Sequence, residues 1–301
     1  MKIEKMLVAV DFSDTSMKAA RWAAERFATG AELVLLHVID PPGRPPFAQH
    51  KLPPADAFEA TAREYAEGRM RELAALLPAP TRAEVRIGKP HEQVATMARQ
   101  IGASIVVIGP HGDRPRRSKF LGTTADRIAR TCPAPVLVVT EPPEHSPRQI
   151  LVPVDDEAIT PTLLEWAHDL AERFDGHITL LHVWSNAVYS HVASMSYATA
   201  RTKADAQQQI EKELSDEAAH WLRELARTGI EPERVTATVA YGNAGDVAVE
   251  TAATTKADLI VLGRRGSHLV AAALLGSTVS TVLHGARCPI LVVTEQAETA
   301  R

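Results

Sequence analysis

The sequence has no run that approaches the ~18 consecutive apolar residues of a membrane span, although 45% of its 301 residues are apolar. That content is therefore spread over packed elements, enough to give ordinary domains cores of their own. Cysteine is nearly absent. Cys132 and Cys288 lie 156 residues apart, out of step with the repeat of 154 described below, which argues against a shared metal or redox role. They read as free thiols near helix ends in a reducing compartment. An excess of charge of one sign is also lacking. A net charge of −4 gives no global reason to bind nucleic acid or an anionic membrane, local basic loops aside. The opening stretch to Asp11 carries an acid early and an apolar run too short for a secretory core, so the expected location is cytoplasmic.

What the sequence does have is a motif written twice. Gly109-Pro-His-Gly112, nine further residues and then Gly122-Thr123 follow the apolar run Ser104-Ile-Val-Val-Ile108. Gly263-Arg-Arg-Gly266, nine further residues and then Gly276-Ser277 follow Asp258-Leu-Ile-Val-Leu262. Each glycine lies 154 residues from its counterpart, so the chain is a tandem repeat. Two glycines let the chain turn where a buried strand ends. A third lets a helix begin with bare backbone N–H groups and a hydroxyl facing an anion, which is the layout of a phosphate site.

Taken in order, Met6–Val10 is a short apolar strand ending in Asp11, and Ser13 or Asp14 offers an N-cap for a helix carrying Ala19, Trp22, Ala23 and Phe27. Residues 33–39 form an unalternated apolar strand, expected where both faces are covered. A proline-rich loop over 40–54 leads to a helix over about 55–77, then a strand over 82–87, a helix ending near Gly102, a strand over 105–108, a helix from Gly122 and a closing strand over 136–140. The linker is Glu141–Pro147, and the pattern restarts with Asp155 in the place of Asp11. About ten extra residues of the second half fall before its third strand, and Ile210, Leu214, Trp221 and Leu225 mark a long amphipathic helix between about Ala198 and Arg227. The fold class is α/β, two tandem Rossmann-like domains over 1–143 and 144–301. Each is a five-stranded parallel sheet of order 3-2-1-4-5 with helices on both faces.

The strand-end Asp11 and Asp155, the Leu-His-Val at 36–38 and 181–183, both glycine motifs and the closing strands after Pro135 and Pro289 resemble the universal stress protein family in its tandem form. The likeness covers nearly the whole chain. Members with this motif bind ATP, so the resemblance implies two ATP sites, with Mg2+ held mainly by the phosphates. Asp11 and Asp155 should face ribose or base, and Val38 and Val183 should offer backbone groups to adenine. Gly109 and Gly263 should lie against the ribose. Gly112, Gly122 and Thr123, with Gly266, Gly276 and Ser277, should surround the phosphates. Resemblance to dimeric single-domain members implies that the halves pair internally through the last strand of each domain, and a homodimer stays open.

The halves also differ. Pro115, Arg116, Arg117 and Lys119 occupy the first spacer, whereas the second keeps its cations in Arg264 and Arg265, so the two sites need not bind equally. His37 and His182 each lack a nearby second metal ligand in sequence and read as packed strand-end residues. Three functions fit: a nucleotide-dependent stress or signalling module, a slow ATPase or adenylyl-transferring enzyme, and a structural dimerisation protein with vestigial sites. No positioned nucleophile, general base or carboxylate pair accompanies the motifs, which favours binding over dedicated catalysis.

Overall fold

A computed structural model of the chain describes residues 2–41, 55–112, 121–155, 160–200, 202–264 and 277–294. Contacts divide the chain into two units, Lys2–Pro142 and Pro143–Arg301.

The first unit runs β1 (Lys5–Val10), α1 (Asp14–Phe27), β2 (Glu32–Ile39), α2 (Ala55–Leu76), β3 (Thr81–Ile87), α3 (Pro90–Ile101), β4 (Ile105–Ile108), α4 (Thr123–Thr131) and β5 (Val136–Val138). Its strands lie in the order β3-β2-β1-β4-β5, and every neighbouring pair is parallel. Met6, Leu7 and Val8 of β1 and Ile105, Val106 and Val107 of β4 are wholly buried, because helices cover both faces and no position of a central strand meets water. Each large side chain so buried contributes about 1.5–3 kcal/mol. Trp22 of α1 packs into this core.

Local chemistry sets the helix ends. Ser13 caps α1 by accepting from the Ser16 N–H, and Pro90 opens α3, where its missing N–H costs nothing. The closing strand is shorter than the expected 136–140, although the Val139 N–H still donates to Ile108 O at 3.0 Å.

The second unit runs β6 (Gln149–Val154), α5 (Thr160–Phe174), β7 (His177–Trp184), α6 (Asn186–Thr199), α7 (Lys203–Ala226), β8 (Val235–Tyr241), α8 (Ala244–Thr254), β9 (Leu259–Arg264), α9 (Ser277–Gly285) and β10 (Ile290–Thr294). The order β8-β7-β6-β9-β10 repeats that of the first unit, again with every pair parallel. Trp166 is buried on α5 as Trp22 is on α1.

The long helix expected from about Ala198 begins instead at Lys203. Thr202 Oγ1 accepts from the Asp205 N–H at 3.1 Å while the Asp205 carboxylate accepts from the Thr202 N–H at 3.0 Å, a reciprocal cap that fixes the start. Ile210, Trp221 and Leu225 form the buried face of α7. The residues before the cap form a separate helix, α6.

Candidate functional site

In the first unit β1 has β2 on one side and β4 on the other, so the order in which successive strands are added reverses there. The crevice where open parallel sheets take ligands is, in this topology, the one beyond the carboxyl ends of β1 and β4. Asp11 leaves β1 at this point and Gly109 leaves β4.

The two oxygens of Asp11 are used differently. Oδ1 accepts from the Ser13 N–H at 3.1 Å and from Ser13 Oγ at 2.5 Å. The cap of α1 is therefore Ser13, and Asp11 supports that cap from two residues back. Oδ2 points to the glycine loop: a Cβ on Gly112 would lie 2.5 Å from it. Such a contact is far inside van der Waals distance, so any larger residue would force the carboxylate or the loop to shift.

The other two glycines are also explained by close approach. A Cβ on Gly109 would lie 3.1 Å from the backbone N and Cα of Ser16, because the end of β4 runs against the first turn of α1. Thr15 Oγ1 donates to His111 O at 2.5 Å and fastens the loop to the same turn. A Cβ on Gly122 would lie 3.3 Å from Pro110 O and His111 Cα. Its own N–H donates to Pro110 O at 2.8 Å and ties the two ends of the loop together.

The N–H of Gly122 serves the loop and is not a bare donor. The bare donors lie one residue later, since Gly122 is the N-cap of α4 and supplies no side-chain acceptor to the first turn that begins at Thr123. Arg116, Arg117 and Lys119 fall outside the described residues.

Val38 sits one residue past the end of β1, whose pairing with β2 stops at Val10 opposite His37. The His37 Nδ1 lies 2.8 Å from Val10 O, and since a carbonyl only accepts, that nitrogen carries the proton. Burial lowers the His37 pKa from its ordinary 6.5, with the Val10 carbonyl and the Asp11 carboxylate partly opposing. Its ring stacks on Phe12 at 4.3 Å, and the Arg69 guanidinium of α2 lies 5.0 Å from the Phe12 centroid. Phe12 has φ of 65°, a strained conformation for an aromatic residue.

The second unit repeats the frame with different fittings. Val183 again lies one residue past the β6–β7 pairing, which ends at Val154 opposite His182, and Asp155 follows β6 as an exposed residue. His182 Nδ1 lies 3.1 Å from Val154 O, but its ring stacks on Trp221 of α7 at 5.4 Å. Its Nε2 is 3.8 Å from Glu217, whose carboxylate also accepts from Trp221 Nε1 at 3.1 Å.

Gly263 was expected at a turn. The strand runs on instead, pairing Gly263 with Val293 and Arg264 with Thr294, so both are residues of β9. Ser277 is the first residue of α9, as Thr123 is of α4. Gly266, Gly276 and Arg265 lie outside the described residues. Among the described residues no group of three or more His, Cys, Asp or Glu is arranged to hold a metal ion.

The profile of the universal stress protein family matches residues 2–140 and again residues 147–294. The chain belongs to this family. A universal stress protein of Mycobacterium tuberculosis is 24% identical over 306 residues, 96% of either chain. One of Mycobacterium bovis is 26% identical over 196 residues, which span 63% of this chain and 61% of that relative's own length. The fold is shared with the crystal structure of a universal stress protein from Archaeoglobus fulgidus, at a TM-score of 0.66 and 18% identity over 99% of this chain and 98% of that one.

Several residues that shape the crevice of this universal stress protein carry no motif signal. The Thr15 hydroxyl donates to the backbone carbonyl of His111, which any side chain at 111 leaves available. Phe12 lies between Asp11 and Ser13, where an aromatic residue in a strand-to-helix turn is the only hint. Glu217 and Trp221 read as one stripe of a core helix.

Proposed function

We propose that this universal stress protein is a nucleotide-dependent stress-response module that binds ATP at the glycine crevice of each domain. One observation carries the reading. Asp11, Gly112 and the uncapped first turn of α4 converge beyond β1 and β4, with the Asp11 Oδ2 filling the place of a Cβ on Gly112. A carboxylate suits ribose hydroxyls or the amino edge of a base, and an uncapped helix start suits phosphate. These residues fit the group, and Mg2+ would be held mainly by the phosphates.

In this reading Asp11 and Asp155 receive the ribose or base, Val38 and Val183 meet adenine through their backbones, and Gly109 and Gly263 flank the ribose. Gly112, Gly122, Thr123, Gly266, Gly276 and Ser277 enclose the phosphates, with Gly122 acting by holding the loop shut. The role is conformational signalling in the cytoplasm rather than dedicated catalysis. β5 and β10 are the last strands of their domains and are apolar, and apolar edges of that kind are usually covered. They pair with each other in this proposal, which leaves a homodimer open.

Acid extraction of the freshly purified protein tests the reading. Adenine nucleotide should be released, and the stripped protein should rebind ATP with micromolar or tighter affinity. A protein that releases none and fails to bind added ATP overturns it. Turnover under excess Mg2+ separates a module from an enzyme, and multiple turnovers per minute would make it an ATPase.

A further inference from the structure

The outer strands of the two domains differ in the features that keep sheet edges apart. Among the described residues β3 is hydrogen-bonded to β2 alone and β8 to β7 alone, so each has one side that no strand covers. Such an edge is a template for another strand unless charge, proline or a covering group blocks it.

Backbone direction alternates along a strand, so every second residue turns its N–H and C=O to the neighbouring strand and the others turn them outward. The Gly88 N–H donates to Ile39 O at 2.9 Å, and the Gly242 N–H donates to Trp184 O at 2.9 Å. Counting back from these two glycines, Ala83 and Val85 of β3 face outward, as do Ala237 and Val239 of β8.

The edge of β3 is blocked. Arg63 of α2 donates to the outward carbonyl of Val85 at 3.2 Å. Arg82, Glu84 and Arg86 share one face of the strand, with Glu84 paired to both arginines. A second copy brought to this edge by a two-fold axis at Glu84, the middle of the strand, would set Glu84 against Glu84 and Arg82 against Arg86. Those are the non-hydrogen-bonded positions, where facing side chains come closest, and like charges there repel.

Strand β8 reads Val-Thr-Ala-Thr-Val-Ala-Tyr, without charge, proline or glycine. Among the described residues no strand or side chain bonds to the outward groups of Ala237 and Val239. A two-fold axis at Thr238 sets Thr238 against itself and Thr236 against Ala240. It also brings Ala237 of each copy opposite Val239 of the other, in pairs that exchange both N–H···O bonds. The flanking charges escape conflict as well, since Arg234 comes opposite Gly242 and Glu233 opposite Asn243.

We infer that β8 is a self-recognition edge: two copies of the chain join antiparallel through it about a two-fold axis at Thr238, and the sheet continues from one copy into the other. Such a contact is isologous, so one unblocked edge per chain closes the dimer. The inference stands independently of nucleotide binding.

Sedimentation equilibrium and amide hydrogen exchange of the full chain test it together. The mass should rise with concentration from 32.6 kDa to twice that value, with a dissociation constant on the order of 10 μM for an interface of this small size. Exchange at Ala237 and Val239 should slow over the same range, while Thr238, already bonded to β7, should not change. Thr238 is exposed, so Thr238→Lys and Thr238→Glu should each keep a native circular dichroism spectrum. Each places like charges at the axis and should weaken association by about tenfold or more. Mixed in equal amounts, the two variants should associate at least as well as the wild type. A chain that stays monomeric with fast exchange at Ala237 and Val239 overturns the edge. Slow exchange at these amides in a monomer means that the chain covers its own edge, which overturns the second copy. A dimer indifferent to both substitutions uses another surface, and variants that fail to associate when mixed overturn the axis at Thr238.

Discussion

A methyl group at Gly112 and the Asp11 Oδ2 would claim the same space, so these two residues form one unit of the crevice. Gly112→Ala should therefore displace the carboxylate, lower stability by about 1–3 kcal/mol and weaken nucleotide at the first site. Removing the carboxylate as well relieves the overlap. In a double-mutant cycle, Asp11→Ala with Gly112→Ala should cost less than the sum of the single changes by about 1 kcal/mol or more. Strict additivity in denaturant unfolding would mean that the two groups do not share the space. His37 gives the residue scale its pH dependence. Its pKa in the fold lies below the ordinary 6.5, burial being the main cause. The neutral ring is the form that the fold prefers, so this contribution is fully present above pH 6.5 and is lost as pH falls through the folded pKa. Replacing His37 with glutamine should flatten the fall in melting temperature on the acid side of pH 6.5, and a His37 resonance titrating above 6.5 would contradict the assignment. The roles of Asp11 and Gly112 as a strand-end acid and a turn glycine were legible in sequence. Their contact was not, because it depends on which carboxylate oxygen Ser13 engages.

At the scale of elements, legibility follows burial. The central strands announced themselves because Met6–Val8, Ile105–Val107, Leu151–Val152 and Leu259–Val261 have no solvent-facing position to break the apolar run. Strand β9 was read too short, since Gly263 and Arg264 carry a turn signal that pairing with Val293 and Thr294 overrides. Helix α6 was missed for the opposite reason: it exposes Met195 and Tyr197 and buries Ser196, so its sequence pattern does not report its packed face. The break before α7 rests on a specific device. Thr202→Ala removes one half of the reciprocal cap with Asp205 and should cost about 1 kcal/mol. Hydrogen exchange should speed up in the first turn of α7 and stay unchanged near Trp221 and Leu225, which are buried in the second core. Equal acceleration along the whole helix would show that the cap holds more than its own turn.

At the scale of the whole molecule, duplication was the most legible property, because a constant spacing of 154 residues between glycine motifs survives where overall likeness between the halves does not. It carries a quantitative consequence. Both halves keep an acid after the first strand, three glycines and a hydroxyl at the start of the helix, namely Thr123 and Ser277. The halves differ around that frame: His37 stacks on Phe12 in one, and His182 packs with Trp221 and Glu217 in the other. Two nucleotides per chain with unequal affinities are therefore expected. A branched side chain at Gly112 meets Asp11 directly, and Gly266 is its counterpart 154 residues on. Losing two charge-assisted contacts at about 1.5 kcal/mol each weakens binding more than a hundredfold. In calorimetry with ATP the wild type should titrate near two equivalents, Gly112→Val and Gly266→Val near one each with different residual affinities, and the double variant near zero while its circular dichroism stays native. A wild-type value of one would make one of the two motifs a plain turn. Full binding by the folded double variant would place the phosphates away from both glycine loops.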